Sequence, residues 1–233
     1  HPYHVQWVQS LSANDFRPRR RFCEWLVRRS DQNLLFHCEI LMTDECCFTR
    51  NGILHFHNTH HWAEVNPHII HQSHFQHRFS INVWVGIIVS HLVGTFVLPA
   101  RLTEENCLNF LCVHLLGLLE EIPLAIRRNM WFTLVVRNLF NTTYGHRWIG
   151  RGGPTAWPPP SPDLNSCDFY LWGYMKSMVY QTPVNNQDLL NRIVMAAERI
   201  RNDQDQLTRV SRSLLRRATA CIRANGGHVK RLL

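Results

Sequence analysis

Residues 157–173 read Trp157-Pro-Pro-Pro-Ser-Pro-Asp-Leu-Asn-Ser-Cys-Asp-Phe-Tyr-Leu-Trp-Gly173. Pro158, Pro159, Pro160 and Pro162 impose an extended, polyproline-like entry. Asp163 or Asn165 then supplies a helix cap, and the helix that follows carries Asp168 near its start. A stiff entry, a turn and a helix-borne carboxylate therefore lie within seventeen residues. The span before this block is equally informative, because the forty-one residues from Ile122 to Pro162 contain no Asp and no Glu.

Upstream, Asn33-Leu-Leu-Phe-His-Cys-Glu-Ile-Leu-Met-Thr-Asp-Glu-Cys-Cys-Phe48 approaches Asp44 through apolar residues, which suits a buried strand with acidic residues at its end. Asn51-Gly52 marks a turn, and Ile53 to Trp62 alternates as the returning arm of a hairpin. Asn82 to Ser90 and Leu92 to Leu98 form a second pair of Val- and Ile-rich runs around Ser90-His91. From Thr103 to Glu121 the chain reads as a helix that is apolar on most sides, covered by a sheet on one side and by another element on the other. Pro123 ends it, and Met130 to Val136 is a further short apolar run.

The ends are helical. Arg17, Arg19, Arg20 and Arg21 surround Pro18, and Phe22, Trp25 and Leu26 follow at helical spacing, so a helix is predicted to start near Pro18. Another runs from about Asn186 to Arg201, and a last one from about Asp203 to Asn225, closed by Gly226-Gly227. The last helix carries Leu207, Val210, Leu214, Ala218 and Cys221 on one stripe and Arg209, Arg212, Arg216 and Arg223 on the other. Strands followed by helices alternating with a strand point to a mixed α/β sheet layered with helices.

The chain has 233 residues, enough for one large domain, and a formal charge of +8 from 25 basic and 17 acidic residues. This balance favours polyanions such as nucleic acid. Starting at His1 rather than Met, it reads as a fragment or a degraded copy. Its eight Cys are scattered, several inside apolar runs, as suits reduced buried thiols rather than a disulfide framework. The longest apolar stretch, Val83 to Leu98, is broken by Ser90 and His91 and is shorter than a bilayer span, so a membrane protein is excluded.

Asp44 at a strand end and Asp168 at a helix start have the supports required by a two-metal phosphoryl-transfer site. There, carboxylates converge on two Mg2+ or Mn2+ ions about 4 Å apart. Taken singly, an Asp at a strand end is more often a turn residue.

The motifs become specific together. Thr43-Asp44-Glu45-Cys-Cys-Phe48, Asn51-Gly52-Ile53, His77-Arg-Phe-Ser-Ile-Asn-Val-Trp-Val-Gly-Ile87, Pro123-Leu-Ala-Ile-Arg-Arg-Asn-Met-Trp131, Arg147-Trp-Ile-Gly-Arg-Gly-Gly-Pro154 and Ser161-Pro-Asp-Leu-Asn165 through Asp168 resemble, in order, the mariner family of transposases. The resemblance continues through Val179-Tyr-Gln-Thr-Pro-Val184 and Asn225-Gly-Gly-His228 and covers essentially the whole chain. It implies an RNase H-like mixed sheet flanked by helices at residues 33–180. A helical linker at residues 1–32 precedes it, and a C-terminal helical extension at 181–233 follows. It further implies metal-dependent cutting and joining of transposon DNA with Mg2+ or Mn2+, DNA as partner, a homodimer, and action in the nucleus. The DNA-end-recognition region of the family would lie upstream of His1.

Of the family's three acids, the first falls on Asp44 and the third on Asp168, which are then both catalytic residues and metal ligands. The second is expected between Phe132 and Thr133. There Met130-Trp131-Phe132 runs directly into Thr133-Leu-Val-Val-Arg-Asn138, which resembles the family's next helix, as if a turn had been deleted. Asn129, Thr133 and Asn138 offer only neutral oxygens, which leave the charge of a divalent ion uncompensated. Ser166-Cys167 also replaces a Pro-containing pair, and Pro160 stands where a basic residue is usual. The expected function is that of a transposase remnant without catalysis. The alternatives are a non-catalytic nucleic-acid-binding module, and a chain whose Met130 to Val136 strand is misregistered and unstable.

Plainer readings stand beside these. His55, His57, His60, His61, His68, His71, His74 and His77 suggest zinc, but no Cys pair flanks them at finger spacing. The stripe of Arg209, Arg212, Arg216 and Arg223 could track a DNA backbone or be a solvated face. Arg17 to Arg21 could serve nuclear import or phosphate contact. Trp157 and Trp172 are expected to pack the loop and helix.

Overall fold

Ile40, Leu41 and Met42 are each buried, and they open strand β1 (Ile40–Thr49) at the centre of a five-stranded sheet. The computed structural model describes residues 9–49, 79–101, 103–133, 146–158 and 160–229. The Asn51-Gly52 turn, the Ile53 to Trp62 hairpin arm and the eight clustered His residues lie outside them.

The sheet order is β3-β2-β1-β4-β5, with β2 (Ser80–Ile88), β3 (His91–Leu98), β4 (Trp131–Thr133) and β5 (Trp148–Ile149). β1, β2 and β3 form an antiparallel meander, as the two Val- and Ile-rich runs predict. β4 and β5 add in parallel, with Ile40 opposite Trp131 and Phe132 opposite Trp148. Met130 and Phe132 are buried toward one face of the sheet, while Trp131 packs toward Trp25 and Phe36 on the other. Such two-sided cover is what a short parallel strand requires.

Two expectations are corrected here. Asp44 is not at the end of its strand, because pairing with β2 carries β1 on to Thr49, opposite Ser80. The parallel ladder to β4 covers only Ile40 and Leu41, so Asp44 lies just past the point where β1 parts from β4. Thr133, read as the start of a helix, is instead the last residue of β4 and pairs with Ile149.

Helices cover both faces. The run after Thr103, whose Oγ1 accepts from the Asn106 N–H at 3.2 Å, forms α2 (Glu104–Asn109), a π-turn (Phe110–His114) and α3 (Leu115–Glu120). Phe110, Leu111, Leu115 and Leu119 pack against Trp84 and Val93 of the sheet. The expected cover on the far side is missing among the described residues, where Val113 and Leu116 are exposed. Pro123 both ends this run and caps a short helix that the sequence reading missed, α4 (Leu124–Asn129).

A second π-turn (Cys167–Leu171) leads into α5 (Trp172–Val179), which packs with α6 (Asn186–Asn202) on the opposite face. The last helix, α7 (Gln204–Arg223), starts where Asp203 Oδ1 accepts from the Gln206 N–H at 3.0 Å. Leu207, Val210, Leu214, Ala218 and Cys221 are all buried, as its apolar stripe predicts.

α1 (Ala13–Gln32) begins well before Pro18. Ser12 N–H and Oγ–H both donate to Asp15 Oδ2 at 2.7 Å, and this local pairing, not the proline, sets the start. α1 packs on α7 through Phe22, Cys23, Leu26, Leu214, Ala218 and Cys221. At the end of α7, Gly226 has φ +91 and donates its N–H to the Cys221 carbonyl at 2.8 Å. A Cβ at that position would stand 2.1 Å from the Phe16 carbonyl oxygen. Gly226→Ala is expected to cost at least about 1–3 kcal/mol of backbone strain, read as a lower urea midpoint.

Cys23, Cys38, Cys167 and Cys221 are buried thiols, as expected, whereas Cys47 and Cys112 are exposed. No helix among the described residues is long and apolar enough to cross a membrane.

Candidate active site

Asp44 and Asp168 face one cleft of about 970 Å3, lined also by Glu45, Thr133, Asn165 and Arg151. The sequence singled out these two acids, and tertiary structure brings them together. Asp168 is exposed to solvent by surface area, yet its inner side meets protein and Asp44. Burial first, then the charge of Asp44 and a hydrogen bond with it, push the Asp168 carboxyl up to about 7. Two carboxylates share space that favours a cation or a proton between them.

The turn that delivers Asp168 is held from several directions. Asn165 Oδ1 accepts the Cys167 N–H at 3.0 Å, and Asn165 Nδ2 donates to the Thr43 carbonyl at 3.1 Å. Asn165 is thus the cap, and it also ties the turn to β1 beside Asp44. Asp163 has a different task. Its two oxygens accept from Arg19 Nη1 and Nη2 at 2.8 and 2.7 Å, and Arg19 is fully buried. Burial pulls the guanidinium down, but the hydrogen bond to Asp163 and its charge outweigh this and raise it.

Arg19 is therefore a structural cation and not one of an exposed basic cluster. Arg17, Arg20 and Arg21 are exposed, and Arg20 pairs with Glu24 at 2.7 Å. A second buried guanidinium, Arg217, was not singled out by the sequence reading. It donates to the Asp163 carbonyl and to Ser166 Oγ, each at 2.8 Å, and its guanidinium carbon lies 4.5 Å from the centre of the Phe169 ring. Burial, aided by Arg216, lowers it to about 9, so it stays charged at neutral pH.

Trp157 packs edge-on against Phe22, as expected. Trp172 does more than pack, because its Nε1–H donates to Asp44 Oδ2 at 2.7 Å. The available signal was spacing: Trp172 lies four residues beyond Asp168, on the same helical face. Glu45 reaches the cleft, and burial and Asp44 both push its carboxyl up. Strand alternation turns it away from the Asp44 face, and no three His, Cys, Asp or Glu among the described residues are grouped to hold an ion.

No family model and no curated protein matches the chain. Solved structures do. A crystal structure of the Mos1 mariner paired-end complex with Mn matches at TM-score 0.72 and 16% identity, over 99% of this chain and 68% of the other. The catalytic domain of Mos1 mariner transposase matches at TM-score 0.64 and 16% identity, over 95% and 99%. The Mos1 strand transfer complex matches at 0.67 and 17%, over 98% and 67%.

The fold is that of the mariner transposase catalytic domain. Mos1 structures of this RNase H-like fold have been solved with Mn or Mg, which makes a divalent ion the cation to test against the cleft. Asp44 and Asp168 would supply two carboxylates to such an ion, and Glu45, Thr133 and Asn165 line the same cleft.

At the end of β4, where the second acid was expected, the mariner-type sheet here presents Thr133. Its Oγ1 donates to the Leu41 carbonyl at 2.8 Å and accepts the Thr43 N–H at 3.0 Å, so it completes the β1–β4 pairing instead of facing an ion. Asn129 lies in a different pocket, with Trp131 and Arg147, and Asn138 lies outside the described residues. Among the described residues, the end of β4 therefore brings a hydroxyl and no acid to the cleft. Thr133→Val would strip both backbone groups of their partner and is expected to cost about 1–3 kcal/mol, measured by denaturant titration.

Arg209, Arg212, Arg216 and Arg223 are exposed along α7, and none lines the cleft. Their placement matches the polar stripe expected from sequence.

Proposed function

We propose that this chain is a mariner-type transposase catalytic domain, with residues 33–180 as the catalytic unit, that binds DNA and one Mg2+ or Mn2+ ion but does not cut. One observation carries the reading. Asp44 and Asp168 converge in the cleft, while the hydroxyl of Thr133 at the end of β4 is engaged by the backbone of β1. Two-ion phosphoryl transfer stabilises both the attacking and the leaving oxygen. With a single ion, one of those two oxygens lacks its cation.

The test is calorimetric titration with Mn2+ alongside a plasmid-nicking assay. One ion is expected to bind per chain, with no metal-dependent nicking. Robust nicking that Asp168→Ala abolishes would overturn the reading.

The alternative of a non-catalytic nucleic-acid-binding module is favoured by the exposed Arg209, Arg212, Arg216 and Arg223 of α7. Four phosphate contacts predict an affinity that falls about hundredfold between 50 and 200 mM salt. Gel-shift titration reads this, and replacing all four by Ala should flatten the slope to that of the remaining contacts. A salt-independent shift, or none at low salt, argues against both readings. The resemblance to mariner transposases extends the proposal to action in the nucleus and to a homodimer, the latter tested by sedimentation with and without DNA.

A further inference from the structure

We infer that Trp172 is the positioning residue of Asp44, setting which carboxylate oxygen is left for a divalent ion. This rests on the reading that Asp44 and Asp168 hold such an ion. The indole Nε1–H donates to Asp44 Oδ2 at 2.7 Å, short for an N–H donor and typical of a charge-assisted bond. Trp172 is only 6% exposed and sits edge-on to Phe48, with ring centres 6.2 Å apart. The donor is therefore fixed by the core between the sheet and α5, not by solvent.

Trp172 shares a helical face with Asp168, so one element presents both a carboxylate and a neutral donor to Asp44. An indole has a donor and no acceptor, so it cannot ligate the ion and cannot be displaced into the ligand set. By occupying Oδ2 it orients the carboxylate and leaves Oδ1 as the oxygen to meet the ion with Asp168. Fixed orientation of a ligand by an outer hydrogen bond is typically worth about 10–100-fold in metal affinity. In a site with two acids rather than three, that fraction is a large share of what remains.

Trp172→Phe keeps an aromatic ring against Phe48 and removes only the N–H. The experiment titrates Mn2+ into wild type and Trp172→Phe, following free Mn2+ by electron paramagnetic resonance, with thermal unfolding measured on both. Affinity is expected to fall at least about tenfold in the variant while cooperative unfolding is retained. A folded variant that binds Mn2+ as wild type does would overturn the inference, while the reading of the site as a metal centre would stand. Wild type that binds no Mn2+ at any tested concentration would overturn both. Should Trp172→Phe fail to fold, the indole 15N–1H resonances of wild type titrated with Mg2+ decide. One of them, missing or displaced in Asp44→Asn, is expected to shift with the midpoint of ion binding, and its indifference to bound Mg2+ would overturn the inference.

Discussion

Asp163→Ala is expected to lower the unfolding free energy by about 3–5 kcal/mol, which guanidinium titration of purified protein would read. The reason is stranded charge. Arg19 is fully buried and Arg217 is fully buried, and Asp163 is the carboxylate set between them. Its removal leaves Arg19 without its bidentate partner and takes from the Val229 N–H an acceptor at 3.3 Å. Arg217 keeps its bond to the Asp163 carbonyl, so its local geometry survives while the nearby negative charge is lost. Replacing the pair together, as Arg19→Met with Asp163→Leu, should cost far less than the single change, because apolar residues of similar volume remove the buried charges with their desolvation penalty. A single substitution costing less than 1 kcal/mol would show that water reaches this pair. The effect also reaches the cleft, since the turn from Ser161 to Ser166 that these groups hold is the one that delivers Asp168.

Asp168→Asn is expected to change the sign of its stability effect with metal. The carboxyl is held at about 7 against an ordinary 3.8, so it favours folding while protonated. That contribution is complete below about pH 4 and is lost as pH rises to about 7. Because the side chain is solvent-exposed, screening holds the effect to about 1 kcal/mol. At pH 8 without metal the neutral Asn variant should therefore unfold at a slightly higher temperature than wild type. Mn2+ at a hundred times its dissociation constant adds about 2.7 kcal/mol to whichever form binds it, and that form needs both carboxylates. The order of melting temperatures should then reverse on adding Mn2+ at pH 8. At pH 4 the metal should give neither protein an advantage, because a proton occupies Asp168 in the wild type and the Asn variant lacks that ligand. An order that does not reverse would remove Asp168 from the ligand set.

The caps and stripes of the helical ends were legible because they act over a few residues. Asp203 before α7, Thr103 before α2 and the apolar row from Leu207 to Cys221 each lie within one or two turns of what they stabilise. The start of α1 was misjudged because Pro18 is a conspicuous signal, while the pairing of Ser12 with Asp15 is equally local but quieter. Thr133 was assigned to a helix because a three-residue strand has too few positions to show a period. Its identity comes from pairing with Leu41, Thr43 and Ile149.

By itself, the sequence determined the runs that become β1 to β3, the helices at both ends, the two acids Asp44 and Asp168, and the lack of any acid from Ile122 to Pro162. These are properties of residue type and near-neighbour spacing. Only the tertiary structure decided that Arg19 is spent on Asp163, that Thr133 is spent on β1, and that Trp172 holds Asp44. Those partners lie 144, 92 and 128 residues apart in the chain. A buried donor takes whatever acceptor the packed core places in reach, and no local pattern records which one that is.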